Sequence, residues 1–254
     1  VFVEITLLGQ NVNSYRTENG EFPHLLATVA DIQGVKRIRF MSPHPQDMDE
    51  HLLQIMSDNE NICNYIHLPL QAGSDRILNR MNRTYSKSEF LLLVDIIRKY
   101  LPDCAISTDI IVGFPGETEE EFEETLQVMT DVVFDRAFMF KYSSRSGTKA
   151  AEYTDQINEE MKQDRLERLI DLQQSHTLKA NQRHIGKILK ILIEKESKKS
   201  DLQWMGKTEG NMGVIFNKSD EQVKDIVDIL ITDAQGVSLF GNRISEKELM
   251  HEVN

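Results

Sequence analysis

Five short apolar runs with β character alternate with amphipathic helical patterns across the first 182 residues, and no other feature constrains the fold as strongly. The runs cover residues 1–8, 37–41, 65–70, 105–112 and 136–142. They recur about every 30 to 40 residues, which leaves room for a helix between each pair. Strands separated by helices pair in parallel through right-handed crossovers, so the spacing predicts a barrel-like sheet or an open doubly wound one. Helix boundaries are legible as well. Ser86 and Glu89 form a capping box ahead of Phe90, Leu93, Val94, Ile97 and Leu101, and Pro102 follows the end. Thr118 and Glu121 repeat that box, with Glu119, Glu120 and Glu121 at the positive end of the helix dipole.

A long polar helix is expected over residues 158–181, and after Gly186 the pattern changes. Short β-like segments at 187–194, 205–208, 212–216, 226–232 and 237–241 are punctuated by glycines. About 60 residues of short strands and turns is the size of a small closed barrel. Charge divides along the same line. The chain has 29 Lys and Arg against 41 Asp and Glu, a net charge of −12. Nearly all of that excess lies before residue 183, which argues against a broad electrostatic grip on nucleic acid there. The later part is close to neutral, with Lys187, Lys190, Lys195, Lys198 and Lys199 clustered; that stretch reads as a solvated loop.

The remaining composition closes off several classes. Two cysteines, Cys63 and Cys104, exclude a disulfide scaffold, a four-cysteine zinc site and an iron–sulfur cluster ligated by this chain's cysteines alone. Cys63 and His67, on one strand, do not form a metal site, so no metal ligands are expected. No apolar run approaches the roughly 18 residues of a membrane helix, and a reducing, cytoplasmic setting is expected. The chain opens at Val1 with strand-like alternation already under way, which predicts a truncated N-terminal part.

Polar residues gather where the strands end. Gly9, Gln10, Asn11 and Asn13 follow the first run; Ser42, Pro43, His44 and Pro45 follow the second; Gln71, Gly73, Ser74 and Asp75 follow the third. After the fourth, Asp109 leads through Gly113 and Gly116 to Glu117 and a capped helix. Ligands of parallel sheets bind at strand C-termini, so these segments predict one polar pocket. Each also reads as a turn or cap when taken singly, Ser74 above all. Arg80, Arg83 and Tyr85 form an anion contact or an exposed loop. Trp204, Phe216 and Phe240 are candidates for stacking nucleobases, with core packing expected for at least two of them.

Five ordered segments resemble a known family: GQNVNSY (9–15), FMSPHP (40–45), HLPLQAGSDRILNRMNRTY (67–85), STDIIVGFPGETEEEF (107–122) and YSSRSGT (142–148). They are similar to the radical S-adenosylmethionine methylthiotransferases, and the first is similar to the branch acting on tRNA. The tail from about Arg183 to Gly241 resembles a TRAM domain, a small RNA-binding β-barrel. The resemblance implies an α/β chain with a partial TIM-like parallel barrel over 1–182, a TRAM barrel over 183–244 and a tail over 245–254.

The resemblance also implies chemistry. A reduced [4Fe–4S] cluster cleaves S-adenosylmethionine to a radical that abstracts hydrogen from an aromatic C–H. A second S-adenosylmethionine donates a methyl group, and an auxiliary cluster delivers sulfur to C2 of isopentenylated adenosine beside the anticodon. The ligands of both clusters lie outside this chain, which predicts that the chain alone is inactive and that no catalytic residue lies within it. By the same resemblance Gln10, Asn11, His44, Gln71, Ser74, Asp109, Gly113, Glu117, Phe140 and Tyr142 line the cofactor pocket, with Phe140 and Tyr142 toward the nucleoside. Arg83 and Arg145 contact a carboxylate or phosphate. Expected partners are the tRNA anticodon stem-loop and proteins that donate iron–sulfur units, sulfur and electrons. A threonylcarbamoyladenosine methylthiotransferase and a non-catalytic RNA-binding module are the alternatives.

Overall fold

The computed structural model describes residues 2–18 and 20–244, which fall into two compact units, 1–173 and 174–254. Val1 of the first expected strand and the expected tail at 245–254 lie outside the described residues.

The first unit contains β1 (Glu4–Leu7), a two-stranded hairpin of β2 (Arg16–Thr17) and β3 (Gly20–Glu21), α1 (Phe22–Ala30), β4 (Arg37–Phe40), α2 (Glu50–Asp58), β5 (Tyr65–His67), α3 (Asp75–Arg80), α4 (Lys87–Tyr100), β6 (Ala105–Val112), α5 (Glu119–Val132), β7 (Arg136–Lys141) and α6 (Lys149–Glu152). Helix α7 (Glu159–Gln182) begins in it. The long strands pair in parallel, β1 with β4 and β5–β6–β7 in a second group. A parallel bridge between Ile38 and Ile62 joins the groups, with Cys63 N donating to the Ile38 carbonyl at 2.8 Å. This is the helix-connected parallel array expected from the alternation. The third strand is shorter than expected, because Pro69 has no N–H and the chain turns over the sheet edge toward Gln71.

Register divides each strand into two faces. Ile38, Phe40, Ile66, Ile106, Ile110 and Val112 join the core with Phe22, Leu26, Leu52, Phe90, Ile97, Phe122 and Phe134 from the helices and loops. The opposite face carries Glu4, Arg37, Arg39, Tyr65, His67, Ser107 and Asp109. Parallel strands covered on both sides usually read as continuous apolar runs, so a polar face marks an interior built for something other than packing. Both capping boxes form as expected, Ser86 with Glu89 and Thr118 with Glu121.

The second unit is a closed five-stranded barrel in the order β10-β12-β11-β8-β9. Its strands are β8 (Ile188–Ser197), β9 (Ser200–Lys207), β10 (Gly213–Asn217), β11 (Ile226–Gln235) and β12 (Ser238–Arg243). Ile191, Ile193, Val214, Phe216, Ile229, Ile231 and Leu239 fill it. The lysine-rich stretch is strand and not loop: β8 runs through Lys190 and Lys195, and Lys198 and Lys199 make the turn into β9. A lysine row does not block a strand, because long charged side chains reach solvent from barrel positions.

Candidate functional site

The parallel strands of the first unit end at a common edge, and after four of them the chain turns through a left-handed residue. Asn11 (φ 51°), Ser42 (φ 57°), Gln71 (φ 71°) and Gly113 (φ 70°) follow β1, β4, β5 and β6. Three of these are not glycine. Such conformations cost about 1–3 kcal/mol and persist where the surroundings impose them. At Gln71 the surroundings are explicit: its N–H donates to the Asp109 carbonyl at 2.8 Å and its carbonyl accepts from Ile111 N at 2.9 Å.

A cavity of about 920 Å³ opens at this edge. Gln71, Arg83, Asp109, Phe140, Tyr142 and Arg145 line it, six of the twelve residues expected at the site. Phe114 meets the Tyr142 ring edge-on with centroids 5.1 Å apart, and Phe140 is 53% exposed. Three polar atoms of its lining residues are buried without partners, the Tyr142 hydroxyl and the Nε atoms of Arg80 and Arg83. Buried polar groups are normally satisfied, so these orphans set the cavity wall apart from ordinary core packing. Burial pushes the hydroxyl of neighbouring Tyr85 up to about 12. That hydroxyl donates to the Pro69 and Leu70 carbonyls, which makes Tyr85 part of the fold and not of an exposed loop.

The other six expected residues stand outside the cavity lining, each for a visible reason. Ser74 is buried, accepts from Ile77 N as the N-cap of α3 and donates to Glu121 Oε1 at 2.9 Å. Gly113 N donates to Glu117 Oε2 at 2.7 Å, and the Lys162 side chain covers the glycine. Glu117 is itself buried against Arg165 Nη1 at 2.8 Å. Ser74, Gly113 and Glu117 therefore make hydrogen bonds within the fold beside the cavity. His44 accepts from Gln46 N at 3.3 Å and packs its ring on Tyr85. Gln10 and Asn11 are exposed in the turn after β1. Asn13 locks that turn to the next one, donating to the His44 carbonyl at 2.9 Å and accepting from His44 N at 2.7 Å.

Several lining residues were not singled out from the sequence as part of a pocket. Arg80, Lys149 and Tyr153 join it, with the Arg80 guanidinium 4.4 Å from the Tyr153 ring centroid and paired to Asp155. Beneath the cavity His67 bridges Ser107 Oγ (2.9 Å from Nδ1) and Asp109 Oδ2 (3.2 Å from Nε2), and Tyr65 reaches the same serine at 2.6 Å. This chain holds the Asp109 carboxylate in one orientation. Its signal was present as strict alternation of polar and apolar residues in Arg37–Phe40 and Tyr65–His67, and as three successive polar residues at 107–109.

The site fits S-adenosylmethionine: a carboxylate for hydroxyl or amino groups, an arginine for a carboxylate, and aromatic walls for a purine. Iron–sulfur clusters find no ligand set among the described residues. Cys63 and Cys104 are both buried, burial pushes the Cys104 thiol up, and no group of three His, Cys, Asp or Glu side chains is placed to hold a metal. Among the described residues no helix is long and apolar enough to cross a membrane.

In the second unit Phe216 is core, and Trp204 packs on the core beneath Lys218 Nζ, 4.2 Å from its ring centroid. Glu194 and Glu196 pair with Lys207 and Lys218, which leaves the exposed Lys195, Lys198 and Lys199 unneutralised by them.

Comparison with known proteins agrees with this geometry. The Radical SAM superfamily model matches residues 2–129, and the TRAM domain model matches residues 182–243. A tRNA-2-methylthio-N(6)-dimethylallyladenosine synthase of Porphyromonas gingivalis is 50% identical over 245 residues, covering 94% of this chain and 53% of that protein. Proteins of the same name from Phocaeicola vulgatus and Caldicellulosiruptor saccharolyticus are 44% and 47% identical, covering 96% and 95% of this chain and 54% and 52% of their own length. The chain thus spans about half the length of these curated relatives. Among solved structures, coproporphyrinogen III oxidase from Escherichia coli superposes with a TM-score of 0.50 at 14% identity, covering 91% of this chain and 57% of its own, a likeness of fold. With a parallel α/β array, a cavity at its strand ends and a family model spanning residues 2–129, this chain belongs to the radical SAM superfamily and carries a TRAM domain behind it.

Proposed function

We propose that this chain is the cofactor- and RNA-binding part of a cytoplasmic tRNA methylthiotransferase that modifies C2 of N(6)-isopentenyladenosine beside the anticodon. The observation that carries the reading is the convergence of Gln71, Asp109, Phe140, Tyr142, Arg83 and Arg145 on one cavity with unsatisfied buried polar atoms. The names of relatives at 44–50% identity support the substrate. Arg83 holds the methionine carboxylate, Asp109 and Gln71 take the ribose hydroxyls and amino group, and the Phe114–Tyr142 pair flanks the adenine. Gln10, Asn11 and His44 border the same edge from the β1 and β4 turns. Bound S-adenosylmethionine supplies radical chemistry and a methyl group when the full-length protein's [4Fe–4S] clusters are in place.

The chain's own residues do the positioning. His67 fixes Asp109 at 3.2 Å, the aromatic walls exclude water, and the left-handed turn at Gln71 presents its amide beside that carboxylate. The TRAM barrel contacts RNA through its exposed Lys195, Lys198 and Lys199 turn. Iron–sulfur, sulfur and electron donor proteins serve the clusters.

Equilibrium dialysis of the chain with S-adenosylmethionine tests the pocket. Asp109→Ala and Arg83→Ala should each weaken binding about tenfold, which is ~1.4 kcal/mol for a lost charged contact. Unchanged affinity in both variants overturns the pocket assignment. In the full-length protein, anaerobic reconstitution with iron and sulfide followed by mass analysis of tRNA should reveal a methylthio group on isopentenylated adenosine. Product on threonylcarbamoyladenosine instead, or none, refutes the activity.

A further inference from the structure

Six residues of the cavity lining, Ser143, Arg145, Thr148, Lys149, Ala150 and Tyr153, come from one segment between β7 and α7. No residue from 143 to 157 is buried, and α6 within that segment buries none of its own. The facing walls stand on packed elements: α3 buries Ile77 and Leu78, and β6 buries Ile110 and Val112. One wall of the site is therefore a strap laid on the surface. Its internal hydrogen bonds give it a shape of its own. The Thr148 N–H and hydroxyl donate to the Arg145 carbonyl at 3.2 and 2.8 Å, and Ala151 N donates to the Thr148 carbonyl at 3.1 Å. Gln156 Nε2 donates to the carbonyls of Ala150 and Tyr153, both at 2.9 Å.

The strap has a closed neck. Lys141, at the end of β7, pairs with Glu159, at the start of α7, at 3.4 Å. Residues 143–157 leave and return between those two points, in the manner of an Ω-loop. Beyond the neck, its polar ties to the rest of the unit gather at one place among the described residues. Asp155 accepts two hydrogen bonds from Arg80 Nη2, at 2.8 and 3.0 Å, and its carbonyl accepts from Gly116 N at 2.8 Å. The Tyr153 ring lies against the Arg80 guanidinium and meets Phe114 edge-on. Gly116 makes the room, because a Cβ there would lie 2.2 Å from Asp155 Oδ2. The Arg80 and Asp155 side chains are 27% and 46% exposed. An ion pair so open to water is a weak tie. A segment with few buried apolar contacts also opens at low cost.

We infer that residues 143–157 form a flap that swings off the cavity and closes over it, latched by Asp155 on Arg80 and Gly116, and that a ligand in the cavity holds it shut. The ligand's part rests on the proposed reading of the cavity as the S-adenosylmethionine site; the latch does not. Closed, the flap completes the wall with Ala150 and Tyr153 and parts a bound molecule from bulk water. Open, it gives that molecule a way in and out. A ligand that touches the flap only in its closed position shifts the two populations by its difference in affinity for them.

Pulsed electron spin resonance distances between two spin labels test the flap. Cys63 and Cys104 are buried, so the labels go to introduced cysteines, Ser146→Cys on the flap and Leu92→Cys on α4, both exposed positions. The labelled chain should show a main distance and a minor, displaced one. Asp155→Asn should raise the minor population about threefold, in keeping with the loss of a partly exposed ion pair. Arg80→Met should raise it at least as far, and Asp155→Asn should add nothing in that background, because the two side chains form one latch. A control pair, Lys36→Cys with Leu92→Cys, should keep its distance in every variant. One unchanged distance in all the latch variants, additive effects of the two substitutions, or an equal change in the control pair overturns the flap. Saturating S-adenosylmethionine should return the Asp155→Asn distribution to that of the unchanged chain. Binding seen by dialysis with the distribution unmoved overturns closure by ligand. Absence of binding defeats the cofactor reading and with it the ligand's part, while the latch is decided by the variants alone.

Discussion

Glu117 and Glu121 stand four positions apart in one turn and helix, yet burial and partners give them opposite behaviour. Burial pushes Glu117 up from the ordinary glutamate value, with the Gly113 N–H and Arg165 pulling the other way. A raised carboxylate contributes stability at low pH and loses it as pH rises through the folded value. The Arg76 guanidinium, with Thr118 N and Ser74 adding hydrogen bonds, holds Glu121 down from 4.5 to about 2. Its contribution is present above pH 4.5 and lost as pH falls toward about 2. Denaturant titrations between pH 6 and about 2 should show the Glu121 loss set against the Glu117 gain, and Arg76→Met should remove the Glu121 loss by removing the partner. The Arg165–Glu117 pair is fully enclosed, so Arg165→Met strands a buried carboxylate and should cost about 3–5 kcal/mol, with Glu117→Gln in the same chain restoring part of it. Urea midpoints of the single and double variants read both effects. At this scale the sequence was ambiguous by nature. Ser74 and Gln71 are both buried polar residues in one strand-end segment, and only their partners separate the cap from the cavity wall.

Elements were the most legible part of the chain. Apolar spacing located each helix the sequence analysis described, and the S-x-x-E and T-x-x-E patterns marked two N-termini to the residue. Thr118→Ala should cost about 1 kcal/mol in urea unfolding, the usual worth of such a cap. Strand ends were less legible, because Leu68, Pro69 and Leu70 are apolar whether or not they pair. The closest packing between elements was illegible. A Cβ on Gly73 would lie 2.5 Å from the Thr125 Cα and 2.6 Å from the Glu124 carbonyl, so α5 backbone would have to move. Gly73→Ala should lower stability by about 1–3 kcal/mol and shift the thermal midpoint down; an unchanged midpoint would mean that α5 yields easily. Gly206 and Gly241 play the same part in the small barrel, where a Cβ would lie 2.5 and 2.4 Å from the carbonyls of Leu192 and Leu230.

At the scale of the molecule, the barrel of the second unit closes on itself and leaves no unpaired strand edge among the described residues. Among the described residues its core cluster is supplied by its own strands and by Met212. Residues 182–244 expressed alone should give a cooperative thermal transition and dispersed NMR amide signals; a broad, non-cooperative melt would count against self-sufficiency. The change of texture after Gly186 announced this unit, because short glycine-punctuated strands have few other ways to satisfy their edges. The lysine cluster misled for a related reason. Charge density describes solvent exposure, and exposed residues occur in strands as well as loops.

By itself the sequence determined the order of strands and helices, the parallel pairing that helical crossovers impose, and the gathering of polar residues where strands end. Those properties depend on neighbours a few positions apart, through periodicity, caps and turn chemistry. Tertiary structure alone decided which polar residues share the cavity: Gln71, Asp109, Tyr142 and Arg145 face it, whereas Ser74 and Glu117 spend their hydrogen bonds inside the fold. The reason is that partners such as Glu121 and Arg165 lie 47 and 48 positions away, so no local pattern records which hydrogen bonds are already taken.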